Sequence, residues 1–150
     1  MTTIDFYFNA ADPLQVACRL AAKAIGQKKR MLVHAPDAEL ATRIDRMLWT
    51  WPAIGFVPHC AVHDPLAAET PVLIRSGEES PSDCQVLLNL GPQCPPHFER
   101  FDRLLEVVGA GEDERKAGRE RYKFYLERGY KIANHDLAKA GETEGSQPNE

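Results

Sequence analysis

Apolar residues along the chain change their period several times, and each change marks an element. Ile4–Phe8 is dense in β-branched and aromatic residues and predicts a strand. Asp12-Pro13 follows as an N-cap with a first-turn proline. Leu14, Ala17, Ala21 and Ala24 then share one helical face until Gly26 stops the helix. After a short basic turn, Gln27–Arg30, the apolar run Met31–Ala35 predicts a second strand. Asp37 can cap a helix whose buried stripe is Leu40, Ile44, Met47 and Leu48. Thr50-Trp51-Pro52 ends that helix, because the residue before a proline avoids the helical region.

The middle is less regular. Phe56-Val57-Pro58-His59 predicts a turn or a sheet edge, since proline cannot donate to a ladder. Val72–Ile74 and Cys84–Leu90 are unbroken apolar runs bounded by Gly, Pro and Ser, the pattern of strands buried on both faces. Ser76–Asp83 between them predicts a solvated loop. Beyond the proline-rich turn Gln93–Pro96, the residues Phe98, Phe101, Leu104, Leu105 and Val108 predict an amphipathic helix, broken by Gly109-Ala110-Gly111. A last, charged helix is expected from about Glu112 to Arg128. Residues 1–140 therefore read as a single α/β domain, a mainly parallel sheet flanked by helices. Gly141–Glu150 reads as a polar tail, expected to be disordered.

Composition narrows the class. At 150 residues, 43% hydrophobic and 27% charged, the chain is an ordinary globular domain. No basic stretch leading into an apolar run of signal-peptide length opens the sequence, and no run nears the roughly 18 apolar residues of a membrane helix. The expected setting is the cytoplasm, with Cys18, Cys60, Cys84 and Cys94 as reduced thiols. A net charge of −4 argues against a protein built to neutralise many phosphates, unless its positive charge is gathered in one place. It is gathered. Arg115–Lys131 holds seven basic residues and two acidic ones, +5 in 17 residues, which leaves −9 on the other 133.

Catalytic and cofactor signatures are weak. No GxxxxGK[ST] is present, and the G-x-G at Gly109-Ala110-Gly111 follows a predicted helix, so it reads as a linker turn and not as a nucleotide site. No G-x-S-x-G elbow occurs, and Cys84 opens a buried strand, where an inert thiol is expected. His59-Cys60-x-x-His63 with Asp64 is one cluster beside a proline, whereas structural zinc sites use two separated ligand pairs; Cys94-Pro-Pro-His97 does not complete it. No metal, cofactor or catalytic residue is assigned.

The basic helix is the feature with a shape. Arg115, Arg119 and Lys123 are four apart and share a face, with Tyr122 beside them. Of Phe124, Tyr125 and Leu126, at least one must point into the core. Guanidinium forks clamp carboxylates, and an aromatic neighbour adds an apolar wall. Such a ridge suits a ligand that is acidic and hydrophobic at once, for example a chain terminus ending in an aromatic residue. A merely solvated face and direct nucleic-acid binding are the competing readings of the same charge.

The N-terminal D-F-Y-F strand, the stretch Arg43–His59 (RIDRMLWTWPAIGFVPH) and Arg119–Lys123 (RERYK) together resemble the chi subunit family of bacterial DNA polymerase III. L-W-x-x-P followed by F-V-P-H is the most specific piece, and the resemblance runs in order over about residues 4–135. It implies a non-enzymatic accessory subunit with a nucleotide-binding-like α/β fold that lacks a working phosphate loop. It also implies a connector in DNA replication. Such a protein joins the clamp loader, through the small psi subunit, to the acidic C-terminal tail of single-stranded DNA-binding protein, and touches DNA only indirectly. That tail ends in Pro-Phe with a free carboxylate. By the same resemblance Trp49 and Phe56 wall the pocket for the terminal phenylalanine and Arg119 clamps the carboxylate. Arg115 and Lys123 attract the preceding aspartates, and Tyr122 packs against the peptide.

Overall fold

The computed structural model describes residues 2–50, 58–77 and 83–138. Among them, seven strands form one parallel sheet: β1 (Thr3–Ala10), β2 (Met31–His34), β3 (His59–Ala61), β4 (Val72–Arg75), β5 (Val86–Asn89), β6 (Arg103–Gly109) and β7 (Ile132–Asp136). The order across the sheet is β3-β4-β2-β5-β6-β1-β7. Helices α1 (Pro13–Gly26), α2 (Ala38–Thr50) and α3 (Glu112–Glu127) cover it. None of these helices is long and apolar enough to cross a membrane. The α/β class and the parallel sheet expected from the sequence are what the structure has.

Direction of travel decides which face each helix covers. The connections through α1 and α2 run towards the β3 edge, and the connection through α3 runs the other way, towards β7. Right-handed crossovers running in opposite directions fall on opposite faces of a sheet. Side-chain alternation agrees. Met31 and Val33 pack with Leu14, Ile44 and Leu48 on one face, while Leu32 and Leu73 pack with Phe6, Leu104 and Tyr125 on the other. Helices α1 and α2 therefore share the first face, and α3 occupies the second.

Local signals act where the sequence places them. Asp12 is extended at φ −135° and accepts from Gln15 N at 3.3 Å, and Asp37 Oδ1 accepts from Glu39 N at 3.0 Å. His59 opens the edge strand β3, in keeping with a sheet edge there. Trp51–Val57, most of the predicted Ser76–Asp83 loop and the polar tail lie outside the described residues.

Two expectations are corrected. Phe98–Val108 is not a helix: Phe98–Arg100 makes one 3₁₀ turn, and Arg103–Gly109 is the interior strand β6, so Gly109-Ala110-Gly111 follows a strand and leads into α3. Leu104 and Val108 are buried on the α3 face and Leu105 and Val107 on the other, so a strand covered on both sides carries an apolar run that spacing alone reads as helical. The other correction is β7, which no periodicity announces. Tertiary contacts hold it: His135 Nε2 lies 3.1 Å from Asp5 Oδ1 and its ring stacks on Tyr7 at 4.3 Å. Asp5 is held in turn by Arg103, at 3.0 and 2.7 Å.

Candidate functional site

Helix α3 is fixed to the sheet by polar groups as much as by apolar ones. Gly118, Arg121 and Tyr125 are its buried residues, and the last two converge on Glu106 of β6, which is fully buried. Arg121 Nε donates to Glu106 Oε1 at 2.9 Å, and the Tyr125 hydroxyl donates to Oε2 at 2.6 Å. Asn89 Nδ2 lies 3.0 and 3.1 Å from the two oxygens, and Arg121 Nη1 donates to the Pro92 carbonyl at 2.9 Å. Burial pushes the Glu106 carboxyl above its usual range, opposed by the Arg121 charge and by the Tyr125, Asn89 and Arg121 hydrogen bonds. Burial, followed by the Glu106 charge, also drives the Tyr125 phenol up. Arg121, counted with the cationic stretch in the sequence, is thus an interior residue with its own carboxylate. Tyr125 is the residue of α3 that the core needed.

Gly118 explains how closely the helix lies. A Cβ there would sit 2.8 and 2.9 Å from the two Val108 methyl groups. A helix-interior glycine costs about 1 kcal/mol relative to alanine, and here it lets α3 rest directly on β6.

That close seating opens a groove of about 250 Å³ along one flank of α3. Phe6 and Phe8 of β1, Val108 and Gly118 give it an apolar floor. Arg115, Arg119 and Tyr122 of α3 form one rim, and Asn9, near the end of β1, and Asn134, in the middle of β7, form the other. The Tyr122 ring meets Phe6 edge-on at 5.1 Å, and its hydroxyl accepts from Asn134 Nδ2 at 3.2 Å. Chemically this is an apolar slot with two guanidinium groups on one side, open to a small aromatic group that carries negative charge.

The structure brings together Arg115, Arg119 and Tyr122 from the residues singled out in the sequence. Lys123 is exposed on the same helix and does not line the groove. Trp49 is elsewhere. It stands on α2, on the opposite face of the sheet, 57% exposed, with its ring edge against His59 of β3 at 5.2 Å between centroids. No cradle shared by Trp49 and Arg119 forms, because the two helices leave the sheet in opposite directions. Phe56 lies outside the described residues. The aromatic floor comes instead from Phe6 and Phe8, which the sequence offered only as strand residues. Gly118 carried a usable signal, a lone glycine inside a helical pattern, whereas Asn9 and Asn134 carried none.

The other clusters have structural partners. His59 Nε2 lies 3.0 Å from the Asp45 carbonyl oxygen and 3.1 Å from Asp45 Oδ1, which ties β3 to α2. Burial raises the Cys18 and Cys84 thiols to about 11 and also raises Cys94, so none is a ready thiolate. His34 is pushed down to about 4 by burial and then by the Arg75 charge, and its neutral Nδ1 accepts from Arg75 Nε at 3.0 Å. Among the described residues, no group of three or more His, Cys, Asp or Glu could hold a metal ion. A second cavity, of about 440 Å³, lies beyond the carboxyl ends of β5 and β6, where parallel sheets often bind ligands. Asp12, Asp113 and Glu114 line it alongside Arg43 and Arg121, so it mixes both signs of charge.

Comparison with known proteins adds a lineage. The family model described as DNA polymerase III chi subunit, HolC, matches residues 1–133. DNA polymerase III subunit chi of Pseudomonas aeruginosa is 36% identical over 141 residues, covering 91% of this chain and 98% of the relative. The Escherichia coli protein of the same description is 29% identical over 119 residues, covering 79% and 81%. The one from Haemophilus influenzae is 26% identical over 124 residues, covering 82% and 86%.

Proposed function

The chain belongs to the DNA polymerase III chi subunit family, and from that premise we propose that it is a non-catalytic connector in bacterial DNA replication. The groove on α3 receives the acidic C-terminal tail of single-stranded DNA-binding protein, and a separate surface engages the clamp loader through psi, all in the cytoplasm. One observation carries the reading: an aromatic floor, Phe6 and Phe8, lies beside two arginines, Arg115 and Arg119. The terminal phenylalanine ring covers the floor, Arg119 clamps the terminal carboxylate, and Arg115 and exposed Lys123 attract the aspartates before it. A connector needs two surfaces that do not compete. The exposed Trp49, on the other face of the sheet, suits the second one.

Magnitudes fit a transient contact. Charge-assisted hydrogen bonds contribute about 1.5–3 kcal/mol each, and a micromolar complex needs about 8 kcal/mol in all. Much of the attraction is between exposed charges, so binding weakens as salt rises. The test is titration of a labelled tail peptide against the protein. Deleting its final phenylalanine is expected to abolish binding, and Arg119→Ala is expected to weaken it more than Arg128→Ala, whose guanidinium packs over Phe124 at 4.2 Å. If the deletion changes nothing while a bare oligonucleotide binds tightly, the basic helix is a nucleic-acid site instead.

A further inference from the structure

The rim of the groove that faces the arginines is lined by two carboxamides, Asn9 and Asn134. Asn9 owes its place to an irregularity. The pairing of β1 with β6 slips between Tyr7 and Ala10, and Asn9 adopts a left-handed φ of 62°. Regular alternation would send Asn9 and Phe8 to opposite faces, yet both line the groove. Asn9 Nδ2 then donates to Asp136 Oδ1 at 2.8 Å, which ties the bulge to β7 and fixes the amide's orientation. On β7, Asn134 is fixed by its bond to the Tyr122 hydroxyl.

We infer that Asn9 and Asn134 read the last peptide group of the bound chain end, so that the groove selects a polypeptide terminus over other polyanions. This rests on the reading that the groove holds an acidic terminus ending in an aromatic residue. The terminal Cα is tetrahedral. With its carboxylate on the arginines of α3 and its ring on the floor, its bond to the amide nitrogen is left to point away from both, and the inferred pose turns it to the opposite rim, where the asparagines stand. A carboxamide offers two hydrogens and an acceptor oxygen, more than the bonds to Asp136 and Tyr122 use. Its oxygen accepts a peptide N–H and its remaining hydrogen donates to a peptide carbonyl. A phosphodiester backbone has only acceptors and leaves both asparagine oxygens without a partner. Arginine alone does not make this distinction, because its fork fits phosphate as well as carboxylate.

The experiment compares wild type, Asn9→Gly, Asn134→Ala and the double variant by fluorescence anisotropy. The probes are an acidic peptide ending in Pro-Phe, the same peptide N-methylated at the final amide, and a single-stranded oligothymidylate. Glycine keeps the left-handed backbone at position 9, and Asn134 is exposed, so the fold is retained. Should Asn9→Gly shift the melting temperature, Asn134→Ala alone carries the test. The double variant is expected to bind the peptide about tenfold more weakly, two modest hydrogen bonds' worth, with oligothymidylate unchanged. N-methylation is expected to weaken wild type several-fold and the double variant hardly at all. Equal peptide affinity for wild type and double variant overturns the inference, as does the same N-methylation penalty in both. If wild type binds the peptide no better than one lacking the final phenylalanine, the tail reading itself falls, and the inference with it.

Discussion

Helices α2 and α3 lie on opposite faces of one sheet, and they are attached to it by different means. Ile44 and Leu48 bury the apolar stripe of α2, and its exposed Trp49 leans on a histidine of the edge strand. The inward face of α3 is a glycine, an arginine and a tyrosine, and two of the three bond the same buried carboxylate. An apolar stripe tolerates small rotations of a helix about its axis. A guanidinium and a phenol on one carboxylate do not, since their geometry is directional. The face built with polar anchors is the one that presents Arg115, Arg119 and Tyr122 to a groove, where helix phase decides which side chains meet a ligand.

The largest effect is expected where that anchor is cut. Glu106→Ala leaves the Arg121 charge buried without its carboxylate and should cost about 3–5 kcal/mol in urea unfolding. A loss below about 1 kcal/mol would mean that α3 is held as α2 is, by its apolar contacts. The same face buries a second polar pair, His34 with Arg75, and acid tests it. His34 titrates near 4 when folded and near 6.5 when unfolded, so the unfolded chain takes up its proton first as pH falls. Stability from this residue is complete above about pH 6.5 and is lost on descending to about pH 4, by roughly 3 kcal/mol. Denaturation curves across that window should be flatter for His34→Gln. A smaller effect is expected from Gly118→Ala, whose Cβ would meet both Val108 methyls inside 3 Å. Pushing α3 off β6 should cost about 1–3 kcal/mol and weaken tail binding, whereas alanine at a solvent-facing helical glycine would stabilise. Unfolding and peptide titration of the one variant read both consequences.

Much of the fold was legible because its strands advertise themselves. Met31–Ala35, Val72–Ile74 and Cys84–Leu90 are apolar runs of strand length between breakers, and Asp12-Pro13 opens a helix by its own chemistry. Leu104-Leu105 and Val107-Val108 carry a helix-like spacing because a strand buried on both faces has no period of two to show. The strand Ile132–Asp136 has no local signal because His135 and Asp136 are placed by Asp5 and Asn9, more than 120 residues away in sequence. The site divided in the same way. Its cations could be counted along α3, but which of them turns inward depends on a carboxylate in β6. Likewise, the separation of Trp49 from Arg119 follows from the direction of two crossovers, which no residue spacing records.

The proposal that the α3 groove, and not the α2 face, holds the acidic tail is tested most directly by one titration of the labelled tail peptide. Wild type, Arg119→Ala and Trp49→Ala are compared at the same low salt. The account predicts that Arg119→Ala weakens binding about tenfold or more, the value of one charge-assisted contact, while Trp49→Ala leaves the dissociation constant unchanged. Equal weakening by the two substitutions, or loss with Trp49→Ala alone, would contradict it.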